Sequence, residues 1–350
     1  MKNLNIPLLK SICEVAGAPG FEQRVRELVI DKIKDHVDEY SMDNLGNLTA
    51  IKRGKSSAKK VMIAAHMDEI GFIVTHIDDN GFVRFHTLGG FDPKTLTAQR
   101  VIIHGKKDLI GVMGSKPIHV MSAAERAKVP KTTDYFIDMG MAKEEVEKYV
   151  SIGDSITRDR ELIEMGDCVN CKSIDNRVSV FILIETLKRL KEFPYDVYGV
   201  FTVQEEVGIR GAQVSAMEIQ PDFGFGLDTT IAYDVPGASA HEKITELGKG
   251  TAIKIMDSQT ICDYRMVRYM KEIASKNKIT TQVEILPAGG TDTMGVQRST
   301  AGGSIAGAVS IPTRHIHQVI EMAHKGDIKQ SIELLQSCIE NLDQYDWSFR

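Results

Sequence analysis

A single change of texture constrains what this chain can fold into. From Phe72 to about residue 163 the sequence breaks into short apolar/polar runs punctuated by glycine: FIVTHI, GFVRFHTLGG, RVIIHG and LIGVMG. Strand side chains alternate between two faces, so short runs at close spacing predict a small β-barrel or sandwich. On either side the texture is helix and strand. Residues 3–16 are helical in pattern, and Val25, Leu28, Val29 and Ile33 fall at helical spacing after the break at Gly17, Pro19 and Gly20. Val61 to Ala65 is an apolar run that stops at His66, as a buried central strand would. Val178–Leu190 reads as a helix, and 197–203, 223–228, 279–286 and 304–311 read as strands. The stretch 120–148 is charged, with one helix expected over Lys143–Val150, and 318–340 forms a last helical region. The expectation is an α/β domain built from 1–71 and 164–350, interrupted by a β-barrel domain over 72–163. At 350 residues the chain exceeds the roughly 250–300 that one core usually spans, which agrees with two domains.

Composition excludes several classes. Net charge is −5 with scattered charges, so no basic surface for nucleic acid is expected. No apolar run approaches the ~18 residues of a membrane span, and MKNLNIPLLKSICEV lacks the unbroken apolar stretch of a signal peptide. The five cysteines are odd in number and dispersed, which suits a reducing, cytoplasmic compartment. Cys168 and Cys171 form C-x-x-C without a second pair, so structural burial is expected rather than a zinc site. PAGGTD (287–292) lacks the Gly-Lys-Ser/Thr of a phosphate loop.

Chemistry is carried by five polar clusters beside apolar runs: AHMDEIG (65–71), KSIDNR (172–177), QEEVG (204–208), GLDTT (226–230) and RHIHQ (314–318). Four follow strand-like sequence, and open α/β sheets bind ligands at the carboxyl ends of their strands. His66 and Asp68 are two apart and share a face if the strand continues; they are either a satisfied core histidine with its acid or a ligand with the carboxylate that orients it. Glu205 and Glu206 leave a strand in opposite directions, which suits either a solvated loop or one acid for a metal and one for a substrate water. Asp228 either caps a turn or repeats that theme. Asp175 is either a helix N-cap or a carboxylate bridging two cations. His315 and His317 are two apart, and either could be a ligand. Taken together, two or three histidines and four or five carboxylates on element ends fit nitrogen/oxygen coordination of borderline divalent ions. Paired ions with bridging carboxylates suit hydrolysis.

These clusters, in this order and with this insertion, resemble the glutamyl/tetrahedral (TET-type) aminopeptidase family of co-catalytic dinuclear metallopeptidases. AHMDEIGF, GFVRFHTLGGFDP, RVIIHG, GVMGSKPIH, FIDMG, IGDSITRDRE, SIDNR, VQEEVGIRGA, PAGGTD and SIPTRHIH carry the resemblance over almost the whole chain. It implies a zinc-exopeptidase-like catalytic domain with a central mixed sheet, and an inserted β-barrel that helps build homo-oligomers from dimer to dodecamer. It implies a metal-dependent aminopeptidase, removing the N-terminal residue from peptides with a hydroxide shared by two divalent ions, Zn or Co first and Mn with the same donors. Residue by residue it implies one ion on His66 and Glu206, the other on Asp228 and His317, and Asp175 bridging them. Glu205 would be the general base and acid, and Asp68 would orient His66. The family usually has tyrosine where His315 stands, and Ala-Gly where Thr293-Met294 follow GGTD, a segment that shapes its substrate pocket.

Two other readings use the same residues: a di-metal deacylase or carboxypeptidase on this fold, and a non-catalytic, metal-stabilised assembly protein. A missing ligand or base would favour the second, and every one implied is present. A glycosidase would use a carboxylate pair without metal and leaves both histidine clusters unexplained.

Overall fold

The structure, a computed structural model, describes residues 4–349. Helices Ile6–Glu14 and Gln23–Ile33 match the two expected at the start, with Asn3 lying outside the described residues. One mixed sheet dominates the larger part of the chain. At its centre Tyr195–Thr202, Ser56–His66, Phe223–Ile231 and Ile305–Arg314 run side by side and parallel. Antiparallel strands extend it on both sides, Leu48–Lys52 and Glu39–Met42 on one, Glu321–His324, Cys168–Cys171 and Ile163–Met165 on the other.

The run Val61–Ala65 is apolar throughout because both faces of its strand are covered. Val61, Ile63 and Ala65 join one core, while Met62 and Ala64 join a second on the opposite face. The first core is organised by the helix Ile174–Arg189, buried along most of its length, which accounts for its lack of a polar stripe. It lies against the sheet and is covered in turn by Ile6–Glu14 and Lys325–Glu340. Helices Arg210–Ile219 and Thr293–Arg298 cover the other face. The result is a three-layer α/β/α body with all four parallel strands ending at one edge.

The chain leaves that body just after His66 and builds a closed six-stranded barrel. Its strands follow the order Gly71–Ile77, Val83–Leu88, Phe136–Asp138, Asp108–Gly114, Arg100–His104 and Ser155–Arg158. Alternation fills it: in Arg100–His104, Val101 and Ile103 are buried, and Phe72, Val83, Ile137 and Ile156 meet them inside. Closure leaves no strand edge unpaired. The expected fold class is therefore what the chain adopts.

Two local expectations change, and a third, for the C-x-x-C pair, holds. The region 318–340 is not one helix: Glu321–His324 is a strand, and the helix begins at Lys325. Pairing with both Thr313–Arg314 and Cys168–Cys171 overrides the local helical pattern. The expected helix Lys143–Val150 is a single turn, Lys143–Val146. The C-x-x-C pair lies along an ordinary strand, with Cys171 buried and Cys168 half-buried, and all five cysteines are free thiols.

Candidate metal centre

Four sheet strands converge on one edge, and their ends carry the site. Thr202 pairs with His66, and the Gly226–Ala64 register, extended by two residues, sets Asp228 beside His66. His66 is almost fully buried at its strand's last position. Its Nε2 lies 3.5 Å from Asp175 Oδ1 and 3.7 Å from Asp228 Oδ1. The loop after Thr202 carries Glu205, whose Oε2 is 3.8 Å from His66 Nε2. Glu206 turns elsewhere: His317 Nε2 lies 3.3 Å from Glu206 Oε2 and 3.3 Å from Asp175 Oδ2.

Two donor groups result. His66, Asp175 and Asp228 form one, and Asp175, Glu206 and His317 form the other, with the donor atoms of each within 4.8 Å of one another. Asp175 belongs to both through its two oxygens, as a bridging residue requires. This corrects the pairing implied by the resemblance. His66 groups with Asp228, its neighbour across the parallel pair, and Glu206 groups with His317. Glu206 sits four residues beyond its strand, far enough to pass His66 and reach the loop after Ile305–Arg314.

Other side chains fix these positions through the backbone. Asp68 lies past the end of its strand; its backbone carbonyl is the hydrogen-bond partner of His66 Nδ1 at 3.1 Å, and its carboxylate Oδ1 lies 3.4 Å from the same nitrogen. It also accepts hydrogen bonds from the backbone N–H groups of Glu205 and Glu206, at 3.1 Å each. One carboxylate therefore ties the His66 strand end to the acidic pair. Asp175 is not an N-cap: its side chain caps nothing, and its own N–H donates to Glu321 Oε2 at 2.9 Å. The other Glu321 oxygen accepts the His317 N–H, also at 2.9 Å. His317 has a left-handed backbone (φ +64°), a conformation unusual for a residue with a Cβ, and Glu321 helps hold it there. His315 faces a different hollow, lined by Ile231, Tyr233 and Gln318, and belongs to neither donor group.

Two residues escaped the sequence reading. Glu321 lies in the stretch expected to be helical. Asp292, at the end of PAGGTD, is buried and accepts a hydrogen bond from the Thr202 hydroxyl. Burial and neighbouring carboxylates push the Asp292 carboxyl up to about 7 and the Glu321 carboxyl up to about 8. The strand-end position of PAGGTD was the available signal for Asp292.

The barrel completes the wall of the site. Gly89 has φ +98°, and a Cβ there would sit 2.4 Å from Ile70 Cγ2 and 3.4 Å from Glu206 Cβ. A Cβ on Gly90 would come 3.5 Å from His317 Nδ1. Glycine is required at Gly89, by its left-handed backbone and the closeness of Ile70, while Gly90 passes at ordinary contact distance from His317.

The electrostatics define what fits. Burial drives the Glu205, Glu206 and Asp228 carboxyls above their usual values, and neighbouring carboxylates add to it. Burial opposes ionisation of Asp175 as well, but His317 and His66 hold it below the ordinary range. Burial would lower the His317 imidazole, yet Glu206 and Asp175 push it up to about 12. Burial likewise opposes protonation of His66, and Glu205, Asp175 and Asp228 overcome it. Four buried carboxylates thus face two imidazoles, and Glu206 Oε1 is buried without a hydrogen-bond partner. Such crowding costs several kcal/mol per uncompensated charge. A divalent cation at each donor group offsets that charge more fully than imidazole protons can. The histidine and carboxylate donors are those that Zn, Co or Mn accept.

A family model described as M42 glutamyl aminopeptidase matches residues 46–334. A putative aminopeptidase from Acetivibrio thermocellus is 40% identical over 95% of this chain and 97% of its own. A lysyl aminopeptidase from Pyrococcus furiosus is 35% identical over 97% and 98%. Among solved structures, an aminopeptidase from the archaeon Desulfurococcus kamchatkensis superposes with a TM-score of 0.92 at 39% identity, covering 96% of this chain and 94% of that one. The TET1 peptidase of Pyrococcus horikoshii, described as assembling into a tetrahedron or a large octahedral shell, gives 0.86 at 32% identity over 95% and 98%.

Proposed function

Since the chain belongs to the M42 glutamyl aminopeptidase family and is a metallo-aminopeptidase, a peptide-bond hydrolase, we propose how its residues divide the work. His66, Asp175 and Asp228 hold one divalent ion, and Asp175, Glu206 and His317 hold the second. Zn or Co is the expected occupant, and Mn suits the same donors. The observation that carries this reading is the single carboxylate, Asp175, shared by two compact donor groups. When bound, such a pair of ions lowers the pKa of a water and polarises the scissile carbonyl.

The protein's own groups do the rest. Glu205 is the general base and then the general acid, taking the water's proton and delivering it to the leaving amine. Its raised proton affinity, caused by burial and then by Asp228, Glu206 and Asp292, suits that exchange. Asp68 positions His66 and the Glu205–Glu206 backbone. The substrates are peptides with a free N-terminus.

We divide the chain into a catalytic domain, 1–71 and 164–350, and a barrel domain, 72–163, that contributes contacts between copies in a homo-oligomer of two to twelve subunits. The assembly described for the Pyrococcus horikoshii relative supports the homo-oligomer. Free, mostly buried thiols support a cytoplasmic location, and among the described residues no helix is long and apolar enough to cross a membrane.

The test is release of the N-terminal residue from short peptides by protein stripped of metal and reloaded with Zn, Co or Mn. Release should require both metal and a free amine. Release from N-blocked peptides alone would favour a deacylase and overturn the assignment of substrate. Glu205→Gln should keep both ions yet lose roughly 10²–10⁴-fold in kcat. Loss of metal with turnover retained would exchange the roles of Glu205 and Glu206.

A further inference from the structure

The family name does not fix which N-terminal residue this chain removes, but the cleft beside the donor groups bears on it. That cleft has a volume of about 750 Å³. Its charged lining consists of Asp175, Glu205, Glu206 and Asp228 with the two histidines, all of which have roles in the chemistry. None of its other lining residues is Asp, Glu, Lys or Arg. Apolar side chains come instead from Ile209, Ile231, Leu286, Met294 and Ile316.

The placement of Met294 is specific. Thr293 begins the short helix Thr293–Arg298 and is fully buried. Its hydroxyl bonds the Thr291 hydroxyl at 3.0 Å and lies against Gly226, which fixes it inward. Met294, the next residue, is half-buried and lines the cleft. In the same cleft, Gly290 admits Ile209 and Gln259 closely: a Cβ there would lie 3.2 Å from Ile209 Cδ1 and 2.4 Å from Gln259 Cγ.

We propose that this cleft selects an uncharged, apolar N-terminal residue of about leucine or methionine size, with Ile209 and Met294 setting the preference. The proposal rests on the aminopeptidase reading above. A glutamate or lysine side chain entering here loses its water and meets no opposite charge free to pair with it. An apolar side chain gains from leaving water. Methionine is flexible and polarizable, so Met294 accommodates leucine, methionine and phenylalanine rather than choosing sharply among them.

The experiment uses metal-loaded protein and the p-nitroanilides of Leu, Met, Phe, Glu and Lys. The kcat/KM for Leu and Met should exceed that for Glu and Lys by at least about 10-fold. Calorimetry on the same protein should show L-leucine binding at least about 10-fold more tightly than L-glutamate or L-lysine. Met294→Lys, with its bound metal measured, should raise the Glu/Leu ratio by about 10-fold or more. Glu or Lys cleaved as well as Leu, or an unchanged ratio in the variant at full metal occupancy, overturns the specificity while the aminopeptidase stands. No anilide cleaved by fully loaded protein, with leucine binding no tighter than glutamate, overturns both.

Discussion

Replacing Glu321 with glutamine tests whether the ligand geometry is set by backbone amides. Glu321 has no exposed surface and lies outside both donor groups. Its two oxygens accept the N–H groups of Asp175 and His317, at 2.9 Å each. Glutamine has a similar shape but one acceptor oxygen, so its NH2 must face a second donor. One hydrogen bond is lost and one buried N–H is left unsatisfied, about 1–3 kcal/mol. Asp175 serves both groups and His317 one of them, so the loss should weaken both sites. Affinity should fall roughly 10–100-fold, the usual effect of removing a partner behind a ligand. The assay is competition for Zn between the stripped protein and a chromophoric chelator, with circular dichroism confirming the fold. A folded Glu321→Gln variant that holds both ions with wild-type affinity would refute the reasoning, because the backbone at Asp175 and His317 would then be fixed by other contacts.

Two further outcomes follow. Asp175→Ala removes both oxygens, one from each donor group, and should cost both ions together; elemental analysis giving two ions per chain at wild-type affinity would show that the bridge is elsewhere. Glu22 is buried, and burial and then Asp68 push its carboxyl up from 4.5 to about 7. Its favourable contribution is full below about 4.5 and lost as pH rises through about 7, so Glu22→Gln should be more stable than wild type at pH 8 by about 3 kcal/mol and not at pH 4. Glutamine keeps the acceptor, because the Gly20 and Gln204 N–H groups both donate to Oε1. A urea-unfolding difference equal at both pH values would remove Glu22 from the account.

The fold was legible in the sequence where periodicity was strong. The alternating runs after Phe72 closed into a barrel, and the apolar run before His66 became a central strand. The polar ends of apolar runs also marked His66, Asp68, Glu205, Glu206, Asp228 and His317, and KSIDNR marked Asp175, residues that the structure brings together at one edge of the sheet. What the sequence concealed was pairing across the sheet edge. His66 has the Tyr195–Thr202 strand on one side and Phe223–Ile231 on the other, so chain order alone could not say whether Glu206 or Asp228 would join it. Glu321 was hidden for a related reason: its partners are backbone N–H groups, one of them 146 residues away, and backbone groups leave no mark in a sequence.

The loop at Gly89 and Gly90 makes the two domains unequal to their apparent separateness. A barrel inserted between two strands reads as a module that evolution could trade or an engineer could excise. Yet its glycines lie against Glu206 and His317, a donor pair supplied entirely by the other domain. A deletion joining Gly71 to residue 164 would open one wall of the cleft even if the α/β body folded. Any swap of the barrel for a relative's must bring a glycine at the Gly89 position, whatever else it changes.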